Sequence, residues 1–123
     1  MPRLKIETYG AGDQTWLASL HALANARTGN LDISAFTKAT HYPNGYLPSG
    51  LELSVADEGA LVPWTGAAGE KLGFLVEDTP TDGTENPNVA YLWHGAIKTA
   101  NLPIAHVAAT TGDASGFTFV QEA

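Results

Sequence analysis

The chain has 123 residues, enough for one domain and too few for two ordinary ones. Apolar residues make up 44%, which is normal for a folded protein, but charged residues make up only 15% against roughly 25% on average. There is no Cys, so disulfides and thiolate metal sites are excluded; no apolar run of about 18 residues exists, so no membrane-spanning helix is expected.

The net charge of −7 is unevenly placed. Residues 1–50 carry a net +1, residues 51–85 a net −7, and residues 86–123 a net −1. The acidic middle holds Glu52, Asp57, Glu58, Glu70, Glu77, Asp78, Asp82 and Glu85 against Lys71 alone. With no basic patch, phosphate-backbone binding is not expected, so no nucleic-acid partner is assigned. The start of the chain, Met1 to Glu7, lacks the apolar core of a signal peptide, and synthesis in a cytoplasm is expected.

In chain order, Leu4-Lys5-Ile6-Glu7-Thr8-Tyr9 alternates apolar and polar as a short strand does. Gly10-Ala11-Gly12 detaches it, so residues 1–12 read as an arm or an edge strand. Asp13 is a good N-cap. Trp16, Leu17, Leu20 and Leu23 then fall at helical spacing, and Thr28-Gly29-Asn30 supplies a stop. A helix over about 14–27 is predicted, with Trp16 on its buried stripe. Ile33–Lys38 fits a helical turn or a strand.

After the turn-rich crossing Tyr42–Gly50, short apolar runs alternate with turns. Strands are predicted over Leu51–Val55, Ala60–Trp64, Leu72–Val76, Val89–Ile97 and Phe117–Val120. The loop over 78–88, with two prolines and a glycine, is expected to be mobile. Strands at about 10-residue spacing indicate a small β-barrel or sandwich, with the β core at about 49–121. The fold class is mainly β with one N-terminal helix, in one domain over 13–123 that follows the arm.

Catalytic patterns are missing. His21, His41, His94 and His106 share no ligand spacing. The pairs Asp57-Glu58 and Glu77-Asp78 flank turns, and adjacent side chains on extended chain point apart. Gly66-Ala67-Ala68-Gly69-Glu70-Lys71 lacks the spacing and the Ser or Thr of a phosphate loop. No catalytic, cofactor or metal residues are assigned. Of the tryptophans, Trp64 at a strand end and Trp93 in mid-strand are candidate interface aromatics, since Trp is enriched at protein contacts.

Five segments carry a family resemblance. They are Ser49-Gly50-Leu51-Glu52-Leu53, Gly59-Ala60-Leu61-Val62-Pro63-Trp64-Thr65-Gly66, Leu72-Gly73-Phe74-Leu75, Ala90-Tyr91-Leu92-Trp93-His94-Gly95-Ala96-Ile97-Lys98, and Asn101-Leu102-Pro103. In order and spacing they resemble the head decoration, or capsid cement, proteins of lambda-like tailed phages. The front end, with Trp16, Phe36 and Tyr42-Pro43-Asn44-Gly45-Tyr46, looks more like the longer forms from phages of actinobacteria. The pattern spans about residues 31–105. The resemblance implies a compact β-tulip, barrel-like subunit with an extended N-terminal arm. It implies a homotrimer on the outer surface of the expanded head, at local threefold positions, bridging the major capsid protein. The virion surface would be its location. It also implies that the arm, Leu4, Lys5, Ile6, Glu7, Thr8 and Tyr9, adds a strand to the capsid. The alternative is a carbohydrate- or receptor-binding β-module, with Trp64, Tyr46 and Tyr91 lining one groove.

Overall fold

A computed structural model describes residues 15–17 and 26–120. In chain order its elements are β1 (Arg27–Asn30), a 3₁₀ turn (Ile33–Ala35), α1 (Lys38–His41), β2 (Tyr46–Leu47) and β3 (Glu52–Ser54). Next come β4 (Val62–Pro63), β5 (Leu72–Leu75), β6 (Thr79–Pro80), β7 (Asn88–Leu92) and β8 (Gly95–Lys98). A second 3₁₀ turn (Thr99–Asn101) and β9 (Phe117–Val120) complete the described chain. Mainly β is therefore the observed class.

The main sheet is antiparallel, in the order β1-β7-β5-β3-β4. Both of its faces are covered. Along β5, Leu72 and Phe74 enter one apolar cluster with Leu92, Ile97 and Phe117. Leu75 enters another with Leu53, Val55, Val89 and Tyr91. Alternate side chains serve opposite faces of a strand, so a strand covered on both sides reads as a continuous apolar run. All four residues of β5 are buried. Gly73 has to be glycine here, because a Cβ would lie 2.6 Å from Val55 Cγ1.

The sheets are not closed into a barrel. The edges of the five-stranded sheet instead meet at one parallel bridge, Leu31 to Leu61. Three backbone bonds hold the join: Asn30 N to Glu58 O at 2.8 Å, and Asp32 N to Leu61 O and Leu61 N to Asn30 O at 2.9 Å each.

Two sequence expectations are corrected. The first concerns the described ends of the helix expected over 14–27. Residues 15–16 form a turn, Leu17 makes an antiparallel bridge to Ile97, and Arg27 opens a strand; residues 18–25 lie outside the described chain. Trp16 is nonetheless core. It is 0% exposed, stacks on Phe74 at 5.6 Å, and donates from Nε1 to Ser49 Oγ at 3.1 Å. Thr28-Gly29-Asn30 looks like a helix stop but lies in β1. Gly29 is needed for close approach, since a Cβ would meet Leu61 Cδ1 at 2.9 Å and Glu58 O at 3.0 Å.

The second is the long strand Val89–Ile97. It breaks at Trp93-His94, and Gly95, with φ of 143°, turns the chain into β8. β8 then pairs in parallel with β9, in a separate sheet.

The loop expected to be mobile is fastened. Its Thr79–Pro80 pairs with Tyr46–Leu47 as β6 on β2. Asn86 Oδ1 accepts from Ile33 N at 2.9 Å, and Asn86 O accepts from Asn30 Nδ2 at 3.0 Å. The segment Ile33–Lys38 takes the helical alternative, as a 3₁₀ turn followed by the first residue of α1.

Residues 105–113 lie against the β4–β5 loop. Gly66, at φ 83°, accepts at its carbonyl from the N–H groups of Thr110, Thr111 and Gly112. A Cβ at Gly66 would lie 2.5 Å from Ala108 O. Gly66→Ala is expected to lower the unfolding free energy by about 2 kcal/mol, through both the left-handed backbone and the clash. Chemical denaturation measures it; an unchanged midpoint would mean that this loop contact carries no stability.

Candidate functional site

One concavity gathers the side-chain types that dominate protein contacts. Arg27 stands on β1 directly across from Tyr91 on β7. Trp93 follows two residues after Tyr91, and the strand period of two keeps them on one side. The Arg27 guanidinium lies 4.6 Å from the centroid of the Trp93 ring. Its Nη1 is 3.6 Å from Glu58 Oε2, which also accepts from the Tyr91 hydroxyl at 2.6 Å. Val55, Asp57 and Lys71 complete the walls of a cavity of about 580 Å³.

Electrostatics define what this site can do. Burial, then the bond to Glu58, pushes the Tyr91 phenol up to about 12, so it acts as a donor and not as a base. Arg27 and Glu58 are both more than half exposed, so their ion pair contributes little stability. It serves instead to hold the guanidinium over the Trp93 ring. The rim offers both signs of charge, Arg27 and Lys71 against Asp57 and Glu58. Trp, Tyr and Arg around a concave floor are the residue types that most often carry binding energy.

The predicted site residues fare differently. Trp93 lies in this concavity, half-buried. Trp64 does not. It is 4% exposed and donates from Nε1 to Val107 O at 2.7 Å, so its ring packs inside the fold. The arm residues Leu4, Lys5, Ile6, Glu7, Thr8 and Tyr9 lie outside the described residues. The aromatic groove of the carbohydrate alternative is not formed. Trp64 and Tyr91 are core residues, and Tyr46, 37% exposed, lines cavities beside β2 instead.

The turn acids behave as caps. Asp57 Oδ1 accepts from Gly59 N at 2.9 Å, and Asp78 Oδ1 accepts from Ser49 N at 2.7 Å. Among the described residues no group of three or more His, Asp or Glu side chains is placed to hold a metal ion. No helix among them is long and apolar enough to cross a membrane.

Sequence reasoning missed one pair. Glu52 Oε2 meets His106 Nδ1, and Glu52 Oε1 accepts from Val107 N at 2.9 Å. The signal was available: Glu52 is a charged residue inside the apolar run Leu51–Val55. It is the only one of the eight acids of residues 51–85 to be buried. Comparison with protein-family models, with curated proteins and with solved structures gives no match.

Proposed function

We propose that this chain is a capsid decoration protein, a structural protein of a phage head that works by binding and not by catalysis. It trimerises on the outside of the expanded shell at local threefold positions and bridges copies of the major capsid protein. The observation that carries this reading is the order of the motifs and where they fall. Leu51–Leu53 and Leu61–Trp64 overlap β3 and β4, and Leu72–Leu75 and Ala90–Leu92 lie on β5 and β7, adjacent strands of the main sheet. The finer tulip-like subunit shape belongs to this reading as well. The Arg27–Trp93 concavity supports it further by offering one compact set of contact residues per subunit. A trimer would present three such sets and three arms, so modest individual contacts would add up through effective concentration. The exposed acids of residues 51–85 would keep the free protein in solution.

The test mixes purified protein with expanded shells and with unexpanded precursor shells, and measures what co-sediments. Binding to expanded shells, with three copies per local threefold, is the expected result. Absence of binding to either shell rejects the reading. Removing residues 2–9 is expected to weaken shell binding by about tenfold or more while circular dichroism stays unchanged, because an added strand contributes main-chain bonds. Equal decoration by the shortened chain would remove the arm from the mechanism.

A further inference from the structure

Glu52 is the one charged side chain buried among the described residues, at 8% exposure. It stands on β3 between Leu51 and Leu53, which fill the core on the other face. Over its own face runs a strap, residues 102–116, which holds no helix and a single bridge, Lys71 to Asp113. The carboxylate fastens two successive strap residues, His106 through Nδ1 and Val107 through its N–H. Neutral fastenings hold the strap as well, among them Trp64 Nε1 on Val107 O, the Gly66 carbonyl under Thr110, Thr111 and Gly112, and the backbone of Asp113 on Glu70 and Leu72. Beneath this part of the strap lies a cavity of about 220 Å³, walled by Leu51, Pro63, Trp64 and Ile104.

An ionised carboxylate out of water is unfavourable unless it is paired. We propose that Glu52 and His106 form a proton-operated latch: while a proton is shared between them the strap is closed over the apolar cavity, and once that proton passes to solvent the segment 104–112 opens and uncovers it.

The charges around the pair leave it in control. Burial pushes Glu52 above its ordinary value of 4.5, and the bonds from His106 and Val107 only partly oppose this. The stability that Glu52 contributes is thus complete below about pH 4.5 and is lost as pH rises through the raised value. Without the shared proton the buried carboxylate faces the His106 ring and one amide. His41 of α1 lines the same cavity, but burial lowers its pKa and its Nδ1 accepts from Thr37 N, so it supplies no counter-charge there. Phe119 of β9 covers the His106 ring at 4.4 Å, and Pro63 and Trp64 add no charge. Glu70, Lys71 and Asp113 cluster at the far end of the strap. There Glu70 is bonded to Thr65 and Gly66, and hydrogen bonds from Ser115 hold Asp113 below its ordinary value. Asp113 is therefore already ionised when the latch titrates.

Amide hydrogen exchange of the full chain at pH 5.5 and 8.5, corrected for intrinsic rates, tests this. Protection at Val107 and at Thr110–Gly112 is expected to fall about tenfold between the two. Protection in β5 and β7 is expected to hold. In Glu52→Gln, which keeps an acceptor for Val107 and has no charge to gain, the strap is expected to be equally protected at both pH values. Equal protection in the wild type, or a loss shared evenly with β5 and β7, overturns the latch. A fall that persists in Glu52→Gln overturns it too. The wild-type comparison stands whether or not that variant folds.

Discussion

Trp16→Ala is expected to lower the unfolding free energy by about 3–5 kcal/mol, a large share of the roughly 5–15 kcal/mol that holds a domain of this kind together. Three losses combine. The indole is 0% exposed, so its removal opens a cavity against Phe74, Ile97 and Phe117 in the same cluster. The stacked contact with Phe74 at 5.6 Å disappears. Ser49 Oγ loses the Nε1–H that it accepts at 3.1 Å, while it still donates to Val76 O at 2.7 Å. Trp16→Phe keeps a ring in the space and forfeits mainly the hydrogen bond, so its cost is expected to be about 1 kcal/mol. Urea denaturation of the three proteins measures both steps. If Trp16→Ala unfolds at the wild-type midpoint, residues 15–17 are not an integral part of this core.

Trp93→Ala is expected to weaken shell binding by about 30-fold or more, the mark of a binding hot spot of about 2 kcal/mol. Its effect on folding is expected to be small. The ring is half-buried, and its stacked cation, Arg27, is itself mostly exposed. Loss of that cation–π contact accounts for about 0.5–1 kcal/mol. Arg27→Ala is expected to weaken binding in the same direction, and the double variant less than additively, because the two side chains form one stacked unit. Equilibrium sedimentation with expanded shells gives the affinities, and thermal unfolding gives the control. Wild-type affinity in Trp93→Ala would place the contact surface elsewhere, and the decoration reading would then stand on the arm and the motif order.

The strands that were legible in the sequence were those framed by turn chemistry. β3 ends before Ala56-Asp57-Glu58-Gly59, where Asp57 bonds the Gly59 amide, and β5 follows Gly69-Glu70. What was not legible depended on distant partners. Thr28-Gly29-Asn30 has the local chemistry of a helix stop, but Tyr91, Leu61 and Glu58 close around Gly29, and that packing selects a strand. Val89–Ile97 is apolar but for His94, and Gly95 marks the change of sheet. The concavity was half legible. Trp93 stands out by type, but Arg27 is 66 positions away in sequence and meets it only through the register of β1 on β7. His106 likewise reaches Glu52 only because the strap folds back.

The join between Leu31 and Leu61 bears on how copies of this chain can associate. A sheet with two open flanks invites a foreign strand to continue it, which is a route to uncontrolled polymerisation. Here Asn30, Asp32 and Leu61 commit their main-chain groups to one another across the flanks. At that place a second molecule finds no row of vacant donors and acceptors to extend. Ordered association at that join must therefore use side chains, whose geometry can discriminate between partners in a way that a bare backbone cannot.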